Sequence, residues 1–535
     1  MKNINITINN ELATRDSSSS KLPLLKSILF ALICSICIAG LLLITKRETI
    51  CVADWITGIG SDALFLLLCL IIASIPSVLH SKNRSMTQKK NNAVNELLNE
   101  LASFVSGFAV FLAGVLLATG IQKIRMGVDS YPSFVEQPLS YSFFLEKEQY
   151  FIFYLLSAAQ MAFVAGIISL LSVVIFKVSH SAHVSLILPV LLLKLEDILA
   201  ETLFGLNSAL YYNGSLYMLS FGTLRFRLSD NIHFVRLVLS FGTVLICLLF
   251  SYLSRELNIA DIKNDKLKNA VRGILLIALI GITVFCVSNG TLQFTRDMNG
   301  KLSIFFVPHL FDNIHFLTFL VFIYFLVIPQ RHISSKRPIL HMLSESSVKS
   351  LATFLAAFLA FVFISIPNIT FNNSWGNIIH TLSYDLPVDR YEFIATASPI
   401  IERAYGPWEA MLKSLVLFVL VLILLSSFYE VTKTLTNEIV AILAVFVPLQ
   451  LLSSGELFYA FPWLYYLSPL SWTRLSLTSD VNTEFFSYPS FGIKLLLLII
   501  LILIMTVSLI LITKIKGIAI GRKININCIS EKESC

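Results

Sequence analysis

The sequence predicts an all-α integral membrane protein of about 12 transmembrane helices, built as two parallel six-helix repeats. Composition is the first reason. Of 535 residues, 56% are hydrophobic and 14% charged, with a mean hydropathy of +0.79. That is too little charge to cover a soluble protein of this length. Second, apolar runs of roughly 18 residues or more recur along the whole chain, each long enough to cross a bilayer as a helix. Third, the halves resemble each other. LASFVSGFAVF (101–111) matches LATFLAAFLAF (351–361), IPSVLHSKNR (75–84) matches IPQRHISSKR (328–337), and ALYY (209–212) matches WLYY (463–466). Three matches in the same order indicate a duplication whose units share one orientation.

Taken in order, residues 1–26 form a polar tail. It lacks the basic start, apolar core and small-residue cleavage site of a signal peptide, so the first span stays in the protein. The first six-span unit covers 27–254, with spans near 27–45, 62–79, 101–119, 151–176, 179–193 and 237–254. The fifth is short, because Lys194, Glu196 and Asp197 end its apolar run. A cytoplasmic linker, 255–272, leads into the second unit, 273–513, with spans near 273–288, 313–329, 350–367, 413–429, 437–453 and 494–513. Residues 514–535 form the tail. Basic residues gather in the loops that share a side with the termini and acidic residues in the others. By the positive-inside bias, both termini are cytoplasmic and the protein lies in the cell membrane. Ile-, Lys- and Asn-rich usage points to an AT-rich bacterial genome.

The eight cysteines imply no disulfide framework, since most lie inside apolar runs, Cys34 and Cys37 among them. The histidines form no H-E-x-x-H pair. His309 and His315 near Asp312 read as a polar rim rather than a metal site, and the acidic run DLPVDRYEF (385–393) as a solvated outer loop. No span carries Asp, Glu, Lys or Arg away from its ends; Gln160 and Gln450 are the main polar groups at depth and read as interhelical hydrogen bonds. A coupling-ion site at the midplane has no ligand there. A phosphate-binding loop is also missing, because the only Gly-Lys pair, Gly300-Lys301, is followed by Leu302. The chain is therefore expected to be no enzyme and to hold no cofactor or metal of its own.

The stretch FPWLYYLSPLSWTRLS (461–476) is aromatic, broken by Pro462 and Pro469, and charged only at Arg474. Prolines divide it into short pieces, and Trp463, Tyr465, Tyr466 and Trp472 suit headgroup depth. Its counterpart in the first unit is GLNSALYYNGSLYMLS (205–220), with Tyr211 and Tyr212. A proline, a short apolar stretch and then Y-L-S-P before the last span resemble the permease subunits of ABC transporters of the type-2 exporter family. Pro462, Trp463, Leu464, Tyr466, Leu467, Ser468 and Pro469 carry that resemblance; the first copy departs from it, with Gly214 and Ser215 in place of the Ser-Pro step.

The resemblance implies an outer re-entrant segment between spans five and six of each unit. Tyr211, Tyr212, Pro462, Trp463, Tyr465, Tyr466, Pro469 and Trp472 are then the outer-gate candidates. It implies two fused permease units driven by a separate cytoplasmic ATP-binding subunit, in two copies, which brings ATP and Mg. The segments 80–100 and 331–350 each begin basic and end in an amphipathic stretch, and VNELLNEL and ILHMLSESSVKSL are read as short helices lying along the membrane. By the same resemblance they are coupling helices, with Glu96, Leu97, Leu98, His341, Met342, Leu343 and Glu345 as contacts. Phe104, Phe108 and Phe111, with Phe354, Phe358 and Phe361, are candidates to line a central cavity. The expected function is export of a hydrophobic or amphipathic substrate, a peptide, drug or lipid-like molecule. The alternatives are an ion-coupled twelve-span carrier, and a non-transporting immunity or sensing protein for antimicrobial peptides. Membrane lipid is an expected partner and nucleic acid is not.

Overall fold

A computed structural model describes residues 28–43, 52–57, 63–85, 93–126, 149–179, 181–204, 265–327, 339–384, 397–451, 468–478 and 489–533, with five positions between 242 and 248. The chain divides into two compact units, Met1–Asp261 and Ile262–Cys535, within the linker segment 255–272. Six described helices are long and apolar enough to cross a membrane, and three shorter apolar helices accompany them. The protein is a multi-pass, all-α membrane protein.

The first unit contains α1 (Ile28–Leu43), α2 (Val52–Thr57), α3 (Ala63–Ser85), α4 (Ala93–Met126), α5 (Tyr150–Ser179) and α6 (Ala182–Phe204). Helix α5 is its centre. It is apolar on every face, the mark of a helix buried on all sides. It packs against α3, α4 and α6, and its Ile167, Leu170 and Val174 meet Val244 and Leu248. Within the apolar part of α5, 72% of residues are buried, against 39% in α4.

Small residues bring α4 and α5 close together. A Cβ on Gly107 would lie 2.4 Å from Ser169 Cβ, and one on Gly166 2.7 Å from the Phe104 ring. The same seam holds the polar ties. The Ser169 hydroxyl is 2.8 Å from that of Ser77 on α3 and 2.9 Å from the Ser103 carbonyl on α4. Helix α1 joins through Ser35, whose hydroxyl donates to the Val110 carbonyl at 3.0 Å. Hydroxyl-to-carbonyl bonds of this kind hold apolar helices together where lipid supplies no hydrophobic drive.

The second unit begins with α7 (Asp265–Asp297), strand β1 (Leu302–Ser303), a 3₁₀ turn (Ile304–Phe306), α8 (Val307–Leu310) and α9 (Ile314–Val327). Next come α10 (Ile339–Ser365), β2 (Ile369–Thr370), α11 (Gly376–Tyr384), α12 (Pro399–Ala404) and α13 (Pro407–Leu435). It ends with α14 (Glu438–Leu451), α15 (Pro469–Thr473) and α16 (Phe491–Glu533). Helix α13 is the centre here, packed on α10, α14 and α16, while α7 packs on α9 and α10. Its apolar part is 61% buried, against 28% for α10 and 11% for α16. Phenylalanines fill the core: Phe311 stacks on Phe354 at 4.5 Å and meets Phe418 edge-on at 4.9 Å.

The two similar stretches bury the same faces. Ser103, Gly107, Phe111 and Val115 are buried on α4, as are Thr353, Ala357, Phe361 and Ser365 at the matching positions of α10. Leu101, Ala102, Val105, Ala109 and Ala113 are exposed, and so are Leu351, Ala352, Leu355, Leu359 and Phe363.

Two expectations are corrected. The stretches VNELLNEL and ILHMLSESSVKSL are not separate helices along the membrane; each is the first part of an unbroken helix, α4 or α10. No proline or glycine interrupts either junction, and Leu, Glu, Lys and Ala propagate a helix readily. The helix of the fifth span does not end at Lys194; α6 runs on to Phe204 through residues that propagate a helix. Trp472 is 4% exposed and packs inside the second unit.

Candidate functional site

One end of the second unit is closed by a small cap assembled from distant parts of the chain. Strand β1 pairs in parallel with β2, Leu302 opposite Ile369 and Ser303 opposite Thr370. The Ser303 hydroxyl donates to the Ser374 carbonyl at 2.9 Å and caps the 3₁₀ turn by accepting from Phe305 N–H. Beyond it Gly376, with φ +80°, makes a turn that a side chain would strain, and starts α11. The Trp375 indole N–H donates to the Tyr405 carbonyl at 3.2 Å, which ties α11 to the start of α13.

His309 lies in the middle of this cap, 1% exposed, between the rings of Phe306 and Trp375 at 5.8 and 5.1 Å. Its Nδ1 accepts from the Ser398 backbone N–H at 3.0 Å, so Nε2 carries the proton of the neutral ring. Nε2 is buried and has no hydrogen-bond partner. Burial pulls the His309 pKa down from 6.5 to about 4, against the attraction of nearby Asp312. The imidazole is neutral at physiological pH.

Across the same end runs a strap, residues 468–478. Pro469 opens α15 and the Ser468 hydroxyl caps it by accepting from Ser471 N–H, so the short helix satisfies its own first turn. Leu470, Ser471, Trp472, Thr473, Leu475, Ser476 and Thr478 are all buried. The strap is tied from three sides. Asp312 Oδ1 accepts from Ser476 N–H at 2.9 Å, and Oδ2 lies 3.8 Å from an Arg474 Nη. Lys494 at the start of α16 donates to the Arg474 carbonyl at 3.0 Å. The Tyr405 and Thr478 hydroxyls are 2.8 Å apart. Beside them Lys413 pairs with Glu409 at 2.7 Å and covers the rings of Tyr405 and Phe491.

Each unit also carries polar pairs near its helix ends. Glu100, at the base of α4, is ion-paired with Lys177 at the end of α5. In the second unit Tyr324 and Ser426 share a hydrogen bond of 2.7 Å between α9 and α13. Glu345 bonds Lys349 one turn along α10, also at 2.7 Å, and Glu430 lies 3.9 Å from Lys433.

Of the gate candidates, Pro469 and Trp472 fall in the strap; Tyr211, Tyr212, Pro462, Trp463, Tyr465 and Tyr466 lie outside the described residues. Among the coupling candidates Leu97 and Leu98 are exposed, while Met342 and Leu343 are half-buried. Glu345 is engaged by Lys349, and the side chains of Glu96 and His341 lie outside those described. Of the phenylalanines read as cavity lining, Phe111 and Phe361 are completely buried, and Phe354 packs against Phe311. Those three are core. Among the described residues no three His, Cys, Asp or Glu side chains converge on a metal site.

Sequence reasoning placed Asp312 in a polar rim and did not join it to the strap, and it did not single out Tyr405, Ser476, Thr478 or Lys494 as strap ties. The signal was present in part, since Arg474 is the lone charge in an apolar stretch and Asp312 an acid beside another. Such charges stay near apolar surroundings when they have a partner. The chain matches no protein-family model, no curated protein and no solved structure.

Proposed function

We propose that this protein is the membrane subunit of an ATP-driven exporter of the ABC type, two permease units in one chain, moving a hydrophobic or amphipathic substrate out of the cell. The observation that carries this reading is where the buried charges lie. Among the described residues Glu100, Glu430 and Lys494 are each within two turns of the end of a membrane-crossing helix, and Asp312 is in the cap. The middles of those helices hold no Asp, Glu, Lys, Arg or His, so they offer no charged side chain through which an ion gradient would act. Energy then has to enter from outside the bilayer, and a separate ATPase is the simplest source.

The shared burial of α4 and α10, and the central place of α5 and α13, support two units of one design. The strap, with its buried backbone and its own helix cap, has the form a re-entrant segment needs, because unsatisfied amides are not tolerated at that depth. The cap end is then the outer side and the Glu100 and Glu345 ends face the cytoplasm. There the exposed Leu97 and Leu98 are the contacts offered to the ATPase.

Affinity purification from the native membrane tests the proposal. The expected result is a stoichiometric ATP-binding subunit that copurifies with the wild-type chain and is lost from Leu98→Glu, with membrane insertion unchanged. Recovery of the chain alone, with transport that stops when the proton gradient is dissipated, would replace the exporter by the ion-coupled carrier.

A further inference from the structure

We infer that Asp312 is the positioning residue that latches the strap, and that its release opens the outer end of the second unit during transport. This rests on the exporter reading and adds the residue that controls the gate. Asp312 makes two different contacts to the strap: a backbone bond to Ser476 and a charge contact to Arg474. It stands at the start of α9, directly after the helix that carries His309, so the latch is mounted on the same rigid turn that anchors the cap. The Lys494 and Tyr405 ties hold neighbouring points of the strap to α16 and to the start of α13.

The strap is held and also poised to leave. Arg474 Nε and Ser476 Oγ are buried without hydrogen-bond partners. Both gain water when the strap lifts, which offsets part of the loss of burial at Leu470, Trp472 and Leu475. A segment with no unsatisfied groups gains nothing polar on opening. The distance of 3.8 Å from Asp312 to Arg474 is a charge contact rather than a hydrogen bond, so it yields without a directional bond being broken. Trp472 is buried in the closed strap and becomes exposed when it opens.

Hydrogen exchange on the full chain, alone and in complex with its ATPase, tests the latch. Asp312→Ala is expected to speed exchange across 474–478 by at least about tenfold, the effect of losing one charge-assisted hydrogen bond. Asp312→Asn keeps an acceptor for Ser476 N–H and should fall between Asp312→Ala and wild type. Exchange across 376–384, in the cap but away from the strap, should not change. In the wild-type complex, strap exchange should rise when a non-hydrolysable ATP analogue is bound; in Asp312→Ala it should be high with or without nucleotide. Equal acceleration in both segments would make Asp312 a general support of the cap. A wild-type strap indifferent to nucleotide, in a complex that contains the ATPase, would overturn the latch and leave the exporter reading intact. Failure of any ATPase to copurify would overturn the exporter reading first, and the gate role with it.

Discussion

Replacing Gly107 by alanine puts a methyl group into the closest helix contact of the first unit. The new Cβ would stand 2.4 Å from Ser169 Cβ, 2.8 Å from the Ala165 carbonyl and 2.9 Å from Ser169 Oγ. Carbon atoms rest about 3.5–4.0 Å apart, so α4 and α5 must separate by about 1 Å or more. Overpacking of this kind costs about 1–3 kcal/mol. Separation also stretches the Ser169 contacts to Ser77 and the Ser103 carbonyl, a further loss of about 1 kcal/mol. Alanine returns up to about 1 kcal/mol through its better helix propensity. The net expectation is about 2 kcal/mol, or about 4–8 °C in the unfolding midpoint for a unit of this size. Thermal unfolding in detergent, followed by circular dichroism, measures it. Ser169→Gly removes two of the three close atoms and leaves the Ala165 carbonyl, so the double variant should be more stable than the sum of the two single changes predicts. A midpoint for Gly107→Ala within about 1 °C of wild type, or additivity within about 0.5 kcal/mol, would refute the seam as described.

Two further predictions concern charge. His309 takes up a proton near 6.5 when the cap opens but only near 4 while it is closed. The opened form therefore binds more protons, so cap stability is complete above about pH 6.5 and declines toward pH 4 by up to about 1.4 kcal/mol per pH unit. Hydrogen exchange of 397–404 across that range should show the slope in wild type and lose it in His309→Gln. In the first unit, Lys177→Met removes the cation paired with Glu100, whose side chain is 4% exposed. Lys177 is itself one-third exposed, so the expected loss is about 1–2 kcal/mol, below that of a fully buried pair. Thermal unfolding should show the double variant Glu100→Gln, Lys177→Met recovering most of it.

The apolar runs that became α4, α5, α7, α10, α13 and α16 are legible because membrane spanning depends on local composition, which a window of about twenty residues contains in full. Their ends are less so. At Lys194 and at the starts of α4 and α10, a change of polarity looks like a change of structure. The backbone ladder instead continues wherever propensity allows it. Which face is buried was not legible, because Gly107 is explained by Ser169 on another helix. The cap was not legible. Its strands are two residues long, too short to show a period, and Ile369 finds Leu302 across more than sixty positions. Arg474 and Asp312 were each conspicuous, but nothing local joins them.

The strap has a consequence for how the protein is made. Asp312 and Ser476 are 164 residues apart in sequence. At roughly 5–20 residues per second, their meeting is delayed by on the order of ten to thirty seconds after Asp312 leaves the ribosome. Lys494 arrives later still. During that interval α9, α10 and α13 enter the bilayer with the carboxylate of Asp312 uncovered and the ring of His309 lacking part of its shelter. Completion of this end waits for nearly the whole second unit to be synthesised, so a chain halted before residue 468 carries inserted helices under an unfinished lid.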